Sequence, residues 1–342
     1  MKNKSKLLLL PASLLLLTGC GASANTSIPR GYTNVDKANP AARQAFFNKV
    51  GEDIALTYAK AAEGFSMEGS FEIKEFYLKP NANDYYKLTD VKADYSFALV
   101  GLNENTKNAK AMLKVENVGF KLNFADNGKE YSLKASDLDI AAYYTDSTLY
   151  YDLSDKDVKT FVNDAIDLDY AMNGGSRSRT AAEDKEKAAK YLGKYYIKDD
   201  DDVEDVADAI PSALDAKTKA EIKETVNSVF EALLSEEKVN NLLTLAEDKN
   251  SQGAAIALAL TSEPVKVDSV SFNGDLAASI VFNKEGLFTR FGFAGNLDVK
   301  SIDSSNPAQI KLSKLDLGAS FKYGTNSVKL PSFGDYKEFQ NN

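Results

Sequence analysis

Apolar residues recur along this chain with two different periods, and the places where the period changes divide it. Phe46, Phe47, Val50, Ile54 and Tyr58 return at helical spacing and form one apolar stripe. Asn39 is placed to cap that helix, Pro40 suits its first turn, where no backbone donor is needed, and Gly64 marks its end. From Ser66 to Leu153 the period falls to two. Phe71 and Ile73 alternate with charged residues, as do Val91, Ala93, Tyr95, Phe97 and Leu99. Val118, Phe120, Leu122 and Phe124 follow, then Leu138, Ile140, Ala142 and Tyr144, then Leu149, Tyr151 and Leu153. One greasy and one polar face per run predicts half-buried antiparallel strands, about six of them. Turn-forming residues link the runs at Pro80–Asp84, Asn103–Asn108, Asp126–Gly128 and Thr145–Ser147.

Helical spacing returns over 154–250. Ser154 or Asp155 caps a helix bearing Val158, Phe161, Val162, Ile166 and Leu168, which Gly174-Gly175-Ser176 ends. Ala181 to Leu192 reads as a short helix with mixed charge. Lys217 to Leu234 is the strongest helix, with Ile222, Val226, Val229, Phe230, Leu233 and Leu234 on one stripe. Ser235 is expected to cap another carrying Val239, Leu242, Leu243 and Ala246. From Gly253 the two-residue period resumes in Ile256, Leu258 and Leu260, and in Leu276, Ala278, Ile280 and Phe282. Asn283–Gly286 turns the chain into Leu287–Phe293. Leu297 and Val299, Ile310 and Leu312, and Leu317, Ala319, Phe321 and Tyr323 continue the pattern. Val328-Lys329-Leu330-Pro331 ends it with a proline suited to an edge or a strand terminus.

Runs of strands separated by runs of helices predict an α+β layer structure. Neither meander, 66–153 or 251–335, can cover its own greasy face. The expected architecture is therefore a single domain over 40–342: one curved antiparallel β-sheet, a half-barrel, with the helices of 154–250 packed on its concave face. Two separate domains is the alternative.

The N-terminus sets the address. Lys2, Lys4 and Lys6 precede the apolar stretches Leu7–Leu10 and Leu14–Leu17, and Thr18-Gly19-Cys20 follows. This is the layout of a secretory signal over 1–19. Its apolar stretch is too short for a spanning helix, which needs roughly twenty residues. Cys20 is the single cysteine, and the small, polar stretch 20–39 reads as a flexible tether. Removing residues 1–19 leaves 323 of the 342 residues and, with three lysines gone, shifts the formal charge from −9 to −12. Such a chain does not seek nucleic acid by charge. With no histidine and no second cysteine, the Ser-His-Asp and Cys-His nucleophile arrangements and imidazole zinc sites are excluded. No cofactor is expected. Carboxylate pairs remain available to a hydrolase, yet no short motif marks one, so no enzyme is expected.

Leu17-Thr18-Gly19-Cys20 resembles the lipobox of bacterial lipoproteins. The resemblance implies a diacylglyceryl group, and palmitate, on Cys20, anchoring a monomer to the membrane outside the cytoplasm. Three further segments carry a resemblance in the mature part: Ser147–Ser154, Val281–Phe288 and Val328–Pro331. With the strand order, they resemble the LolA-like and LppX/LprG-like lipoproteins, although this chain is longer and its helical insert larger. That resemblance implies an antiparallel half-barrel closed by helices over an apolar cavity, and binding or carriage of a lipid or other amphiphile. Phe161, Val162, Val229, Phe230, Leu233, Phe288, Phe291 and Phe293 are the residues expected to line the cavity, if they are not simply core. The alternative function is a structural or adhesive surface lipoprotein with a solid core that acts on cell-wall polymer or carbohydrate.

Three other features have two readings each. Asp199–Asp202 with Glu204, Asp205 and Asp208 offers hard oxygen ligands for calcium, or a solvated helix start. An EF-hand loop starting at Asp199 needs Gly at its sixth position and Glu at its twelfth, where Glu204 and Ile210 stand. Arg177, Arg179, Lys185, Lys187 and Lys190 suit anionic headgroups, or a salt-bridged helix surface. The paired tyrosines at 143/144, 150/151 and 195/196 send one ring to each sheet face, for cross-strand packing or for stacking on sugars. If Cys20 carries the lipid, Cys20→Ser abolishes incorporation of labelled palmitate in cells. A natural chain that takes no label overturns the lipoprotein assignment.

Overall fold

The computed structural model describes residues 26–101, 109–173, 178–198, 215–261, 265–267, 270–301, 307–325 and 327–339. Cys20, Arg177, the acidic run and the Asn103–Asn108 turn lie outside the described residues. Local chemistry sets the first helix where the sequence places it. In α1 (Pro40–Glu63) the Asn39 side chain accepts from the backbone N–H groups of Ala41 and Ala42, and Gly64 closes the C-terminus.

Fourteen strands of the described chain form one open sheet, β1 (Thr33–Asn34), β2 (Gly64–Lys79), β3 (Tyr85–Val100), β4 (Lys110–Asp126), β5 (Lys129–Thr145), β6 (Thr148–Asp152), β7 (Lys194–Lys198), β8 (Leu243–Glu247), β9 (Ala254–Thr261), β10 (Val265–Val267), β11 (Val270–Phe282), β12 (Phe288–Ser301), β13 (Gln309–Tyr323) and β14 (Lys337–Glu338). The spatial order is β1-β8-β9-β11-β12-β13-β2-β3-β4-β5-β6-β7-β14, with β10 beside β11. Every pairing is antiparallel except β7 with β14. The two meanders therefore join, along a β13–β2 ladder running from Gln309–Lys79 to Tyr323–Phe65. The chain is α+β with one curved sheet, as its pattern predicts.

Several details differ from the sequence reading. The first meander holds five strands, one for each apolar run, and the first four runs extend into strands of 16 or 17 residues. Leu297 and Val299 continue β12, and Ile310 and Leu312 begin β13. Leu243 and Ala246 are in β8, not in a helix. The helix before them, α5 (Glu237–Leu242), is capped by no side chain, while Ser235 Oγ donates to Ala232 O. Tyr195 and Tyr196 form β7, which the helical reading of 154–250 missed. Val328–Pro331 pairs with no strand. The tether is shorter than expected, since Tyr32 donates its hydroxyl to Phe282 O at 2.6 Å and Thr33–Asn34 pairs with β8.

The long central strands change phase midway. Asp90, Asn117, Asp137 and Lys314 each hold a left-handed backbone, with φ of 53°, 56°, 52° and 49°. Across each, apolar residues switch parity: Val91 and Ala93 give way to Leu88 and Tyr86, Val115 to Val118, Leu138 to Ala135, and Leu315 to Leu312. Such bulges keep the apolar side chains on one face while bending the strand. Ala135 and Leu138, on either side of Asp137, both pack on Val158. Polar partners stabilise the crease. Asn117 N–H donates to Asp139 at 2.9 Å, Lys92 to Asp137 at 2.8 Å, and Lys314 N–H to Asn296 at 2.7 Å.

Helices lie over one face of this sheet. The row Ile256, Ile280, Phe291, Ala319, Gly69, Tyr95, Val115 and Ile140 runs unbroken across eight strands. At one end it sits beneath α1, whose Phe46, Phe47 and Val50 are fully buried among Ile256, Phe282, Phe288, Ala319 and Phe321. Burying each such side chain stabilises the fold by roughly 1.5–3 kcal/mol. At the other end, α2 (Lys156–Asn173), started by the Asp155 carboxylate, sets Val158 and Phe161 on Leu138 and Phe120. There α3 (Ala181–Ala189) docks on α2 through Lys185–Asp167 at 2.6 Å. Above α1, α4 (Ala216–Ser235) runs antiparallel to it. Arg43 meets Glu231, Gln44 meets Asn227 and Glu52 meets Lys223, and a Cβ on Gly51 would lie 2.8 Å from the Lys223 side chain.

A carboxyl group sits inside this core. Asp53 of α1 is 1 % exposed, and neither carboxylate oxygen has a hydrogen-bond partner among the described residues. It lies over the β11–β12 turn, where a Cβ on Gly286 (φ +78°) would come within 2.5 Å of it. Burial pushes its carboxyl up to about 8, with Lys49 opposing and Glu52 adding to the shift. The folded state therefore keeps a proton that the unfolded chain has released above its ordinary value of 3.8. Stability contributed by protonated Asp53 is full below that value and declines as pH rises to about 8, at up to about 1.4 kcal/mol per pH unit. Asp53→Asn is expected to flatten this slope in urea titrations between pH 5 and 8. An unchanged slope would show that Asp53 is ionised in the fold.

Candidate functional site

Below the crease, the helix-bearing face continues as an apolar floor. Leu297, Leu312, Phe76, Leu88, Leu122 and Leu133 are consecutive register partners across β12, β13, β2, β3, β4 and β5. Val299, Ile310, Leu78, Tyr86, Phe124 and Tyr131 form a second row across the same strands. Six strands span about 24 Å. Phe124 stacks on Tyr86 at 5.8 Å and on Tyr131 at 5.3 Å, so three rings line up across neighbouring strands. Neither packed cluster of the described residues includes any of these twelve side chains. Ile310 and Tyr86 are each 41 % exposed, Phe124 is buried, and the rest are half-buried.

The reverse face is charged. Lys311 and Lys87 both pair with Glu75, at 2.8 and 2.9 Å, and hold its carboxyl below the usual carboxylate range. Lys314–Glu72 and Lys322–Glu68 continue the series across β13 and β2. Such exposed pairs add little stability. Below the crease this face carries the Glu75 cluster beside the Tyr77–Tyr85 ring pair, and so is more polar than the floor. In general, large exposed apolar areas on folded proteins mark binding or assembly surfaces.

The eight residues expected to line a cavity do not come together. Phe288 is buried in the main core, and Phe230 and Phe291 pack against it, with Phe230 stacked on Phe47 at 5.3 Å. Phe293, half-buried, follows on the same sheet face, between register partners Ala278 and Leu317. Phe161 belongs to the separate cluster under α2, where its ring meets Phe120 edge-on at 5.6 Å, and Val162 beside it is half-buried. Val229 and Leu233 are 48 % and 39 % exposed. At 100° per residue they occupy the flank of the apolar arc of α4 turned away from Phe230 and Leu234, which meet the core. Two open clefts lie elsewhere, one of about 390 Å³ on the crease at Lys74, Glu75, Asp90 and Lys311, and one beside α3, and none of the eight lines either.

Among the described residues, no group of three or more Asp, Glu, Cys or His is placed to hold a metal ion. No protein-family model matches this chain, and no curated protein matches it. The floor and the core can be told apart by stability. Leu245→Ala, in the fully buried core, is expected to cost about 2–5 kcal/mol in urea titrations. Ile310→Ala is expected to cost less than about 1 kcal/mol. Equal losses would mean that Ile310 is packed under a cover.

Proposed function

We propose that this chain is a membrane-anchored extracytoplasmic lipoprotein that binds a lipid or other amphiphile on the apolar floor below its crease. The observation that carries the reading is the pair of six-strand apolar rows, which stand outside both packed clusters and back onto a charged face. Acyl chains laid across such a floor would be removed from water, at roughly 25 cal/mol for each Å² of apolar surface covered. The eight residues named from the sequence would then serve mainly as the core that supports the floor. The signal at 1–19 and the lipobox ending at Cys20 support the envelope address, and two acyl chains suffice for stable anchoring. The strand–helix–strand order supports the likeness to LolA-like and LppX/LprG-like carriers.

The test compares the natural chain with the double variant Leu88→Glu, Leu122→Glu, both purified in the same way and extracted with organic solvent for mass spectrometry. A non-covalent amphiphile near one per protein on the natural chain, depleted at least ten-fold on the variant, is the expected result. Equal yields, including none from either, overturn the proposal and favour a solid-core surface protein. Circular dichroism confirms that the variant folds.

A further inference from the structure

The second cleft, about 680 Å³, lies at the far edge of the sheet from β1. Its walls come from two distant parts of the chain, the end of α3 with the turn after it, and the C-terminal strand β14. Pairing of β14 with β7, extended by Phe339 N–H to Tyr196 O at 2.9 Å, holds Lys337 and Phe339 in place. The tail leading to β14 is fixed by Phe333, whose ring stacks on Tyr150 at 3.7 Å.

Three rings line the cleft. Phe339 lies 5.8 Å from Tyr191 and 5.9 Å from Tyr195, nearly perpendicular to the latter. Tyr195 donates its hydroxyl to Lys190 O at 2.7 Å, which locks its ring, while Tyr191 is 39 % exposed. Lys187, Lys190 and Lys337 also line the cleft, and none has an ion-pair partner among the described residues. The salt-bridged surface expected here holds for Lys185, and Arg179 lies 3.7 Å from Asp184, but it does not extend to these lysines. Glu183 is held in a reciprocal capping box with Thr180, whereas Glu186 and Glu338 remain available as acceptors.

In a protein where 50 acidic side chains outnumber 41 basic ones, a concavity whose lining carries four cationic side chains against three carboxylates, with three of the lysines in no ion pair among the described residues, is locally cationic and suits an anion. Flat rings beside clustered donors and acceptors suit a hydroxylated ring with apolar C–H faces, and the volume is typical of a small-ligand site. We propose that the cleft bounded by Tyr191, Tyr195, Phe339, Lys187, Lys190 and Lys337 binds an acidic saccharide, with the lysines taking its carboxylates and the rings its pyranose faces. This site is separate from the apolar floor and does not depend on the amphiphile reading.

The probe is hexagalacturonate, titrated calorimetrically against the full chain, with its methyl ester and inorganic phosphate as controls. Binding of the hexamer at least ten-fold tighter than the ester or phosphate, weakening as salt rises, is expected. Tyr191→Ala and the pair Lys187→Gln, Lys190→Gln are each expected to weaken it at least five-fold without changing the melting temperature. These side chains line an open cleft, so the test holds even if Phe339→Ala fails to fold. Absence of binding, equal binding of ester or phosphate, or binding indifferent to both variants overturns the proposal.

Discussion

Four non-glycine residues hold a left-handed backbone inside long strands, and the shape of the sheet depends on them. A side chain in that conformation costs roughly 1–2 kcal/mol, and short polar residues bear it best because they can bond locally. Asp90, Asn117 and Asp137 fit that description, while Lys314 is held by Asn296 on the neighbouring strand. Each shifts the alternation of its strand by one, so a sequence that changes parity still keeps its oily side chains on one face. Without that shift, the lower half of each strand would turn its leucines onto the ion-paired side, among Glu75, Lys87 and Lys311.

The crease also divides labour along the strands. Above it, α1 and α2 bury the apolar face at its two sides, and the side chains of β9, β11, β12, β13 and β2 become core. Cover thins between the helices. On one register row Met67 is 6 % exposed, whereas Leu113, two strands away, is 43 % exposed. Below the crease, the same face carries its side chains into the open. The buried carboxyl of Asp53 belongs to the covered part, wedged between α1 and a glycine turn that leaves it no room to reach water.

Much of this was legible in the sequence, for reasons that are local. Asn39, Pro40 and Gly64 mark the ends of α1 because capping uses only neighbouring atoms. The turns Asn127-Gly128 and Asp146-Ser147 close two-residue hairpins for the same reason. The left-handed residues were harder to read. They broke continuous strands into apparent fragments, so Ile310-Leu312 and Leu317-Phe321 looked like separate runs. Leu242, Leu243 and Ala246 match a helical spacing over too few residues to exclude β8. As for the site, Phe230, Phe288 and Phe291 carry the same apolar chemistry whether they line a void or fill one. Which rows are covered depends on where α1 and α2 stop, and that follows from long-range packing. The aromatic cleft joins residues near 190 with residues near 338, a pairing that no window along the chain contains.

The two outermost strands of the sheet, β1 and β14, are the first and last strands among the described residues, and each is only two residues long. Exposed backbone at a sheet margin invites further chains to add on, and very short terminal strands blunt that tendency. Proteolytic trimming at either end would uncover β8 or β7 and leave the outward-pointing backbone groups of a five-residue strand facing solvent. These short strands thus act as selvedges, and their loss would offer the sheet margin as a template for fibrous growth.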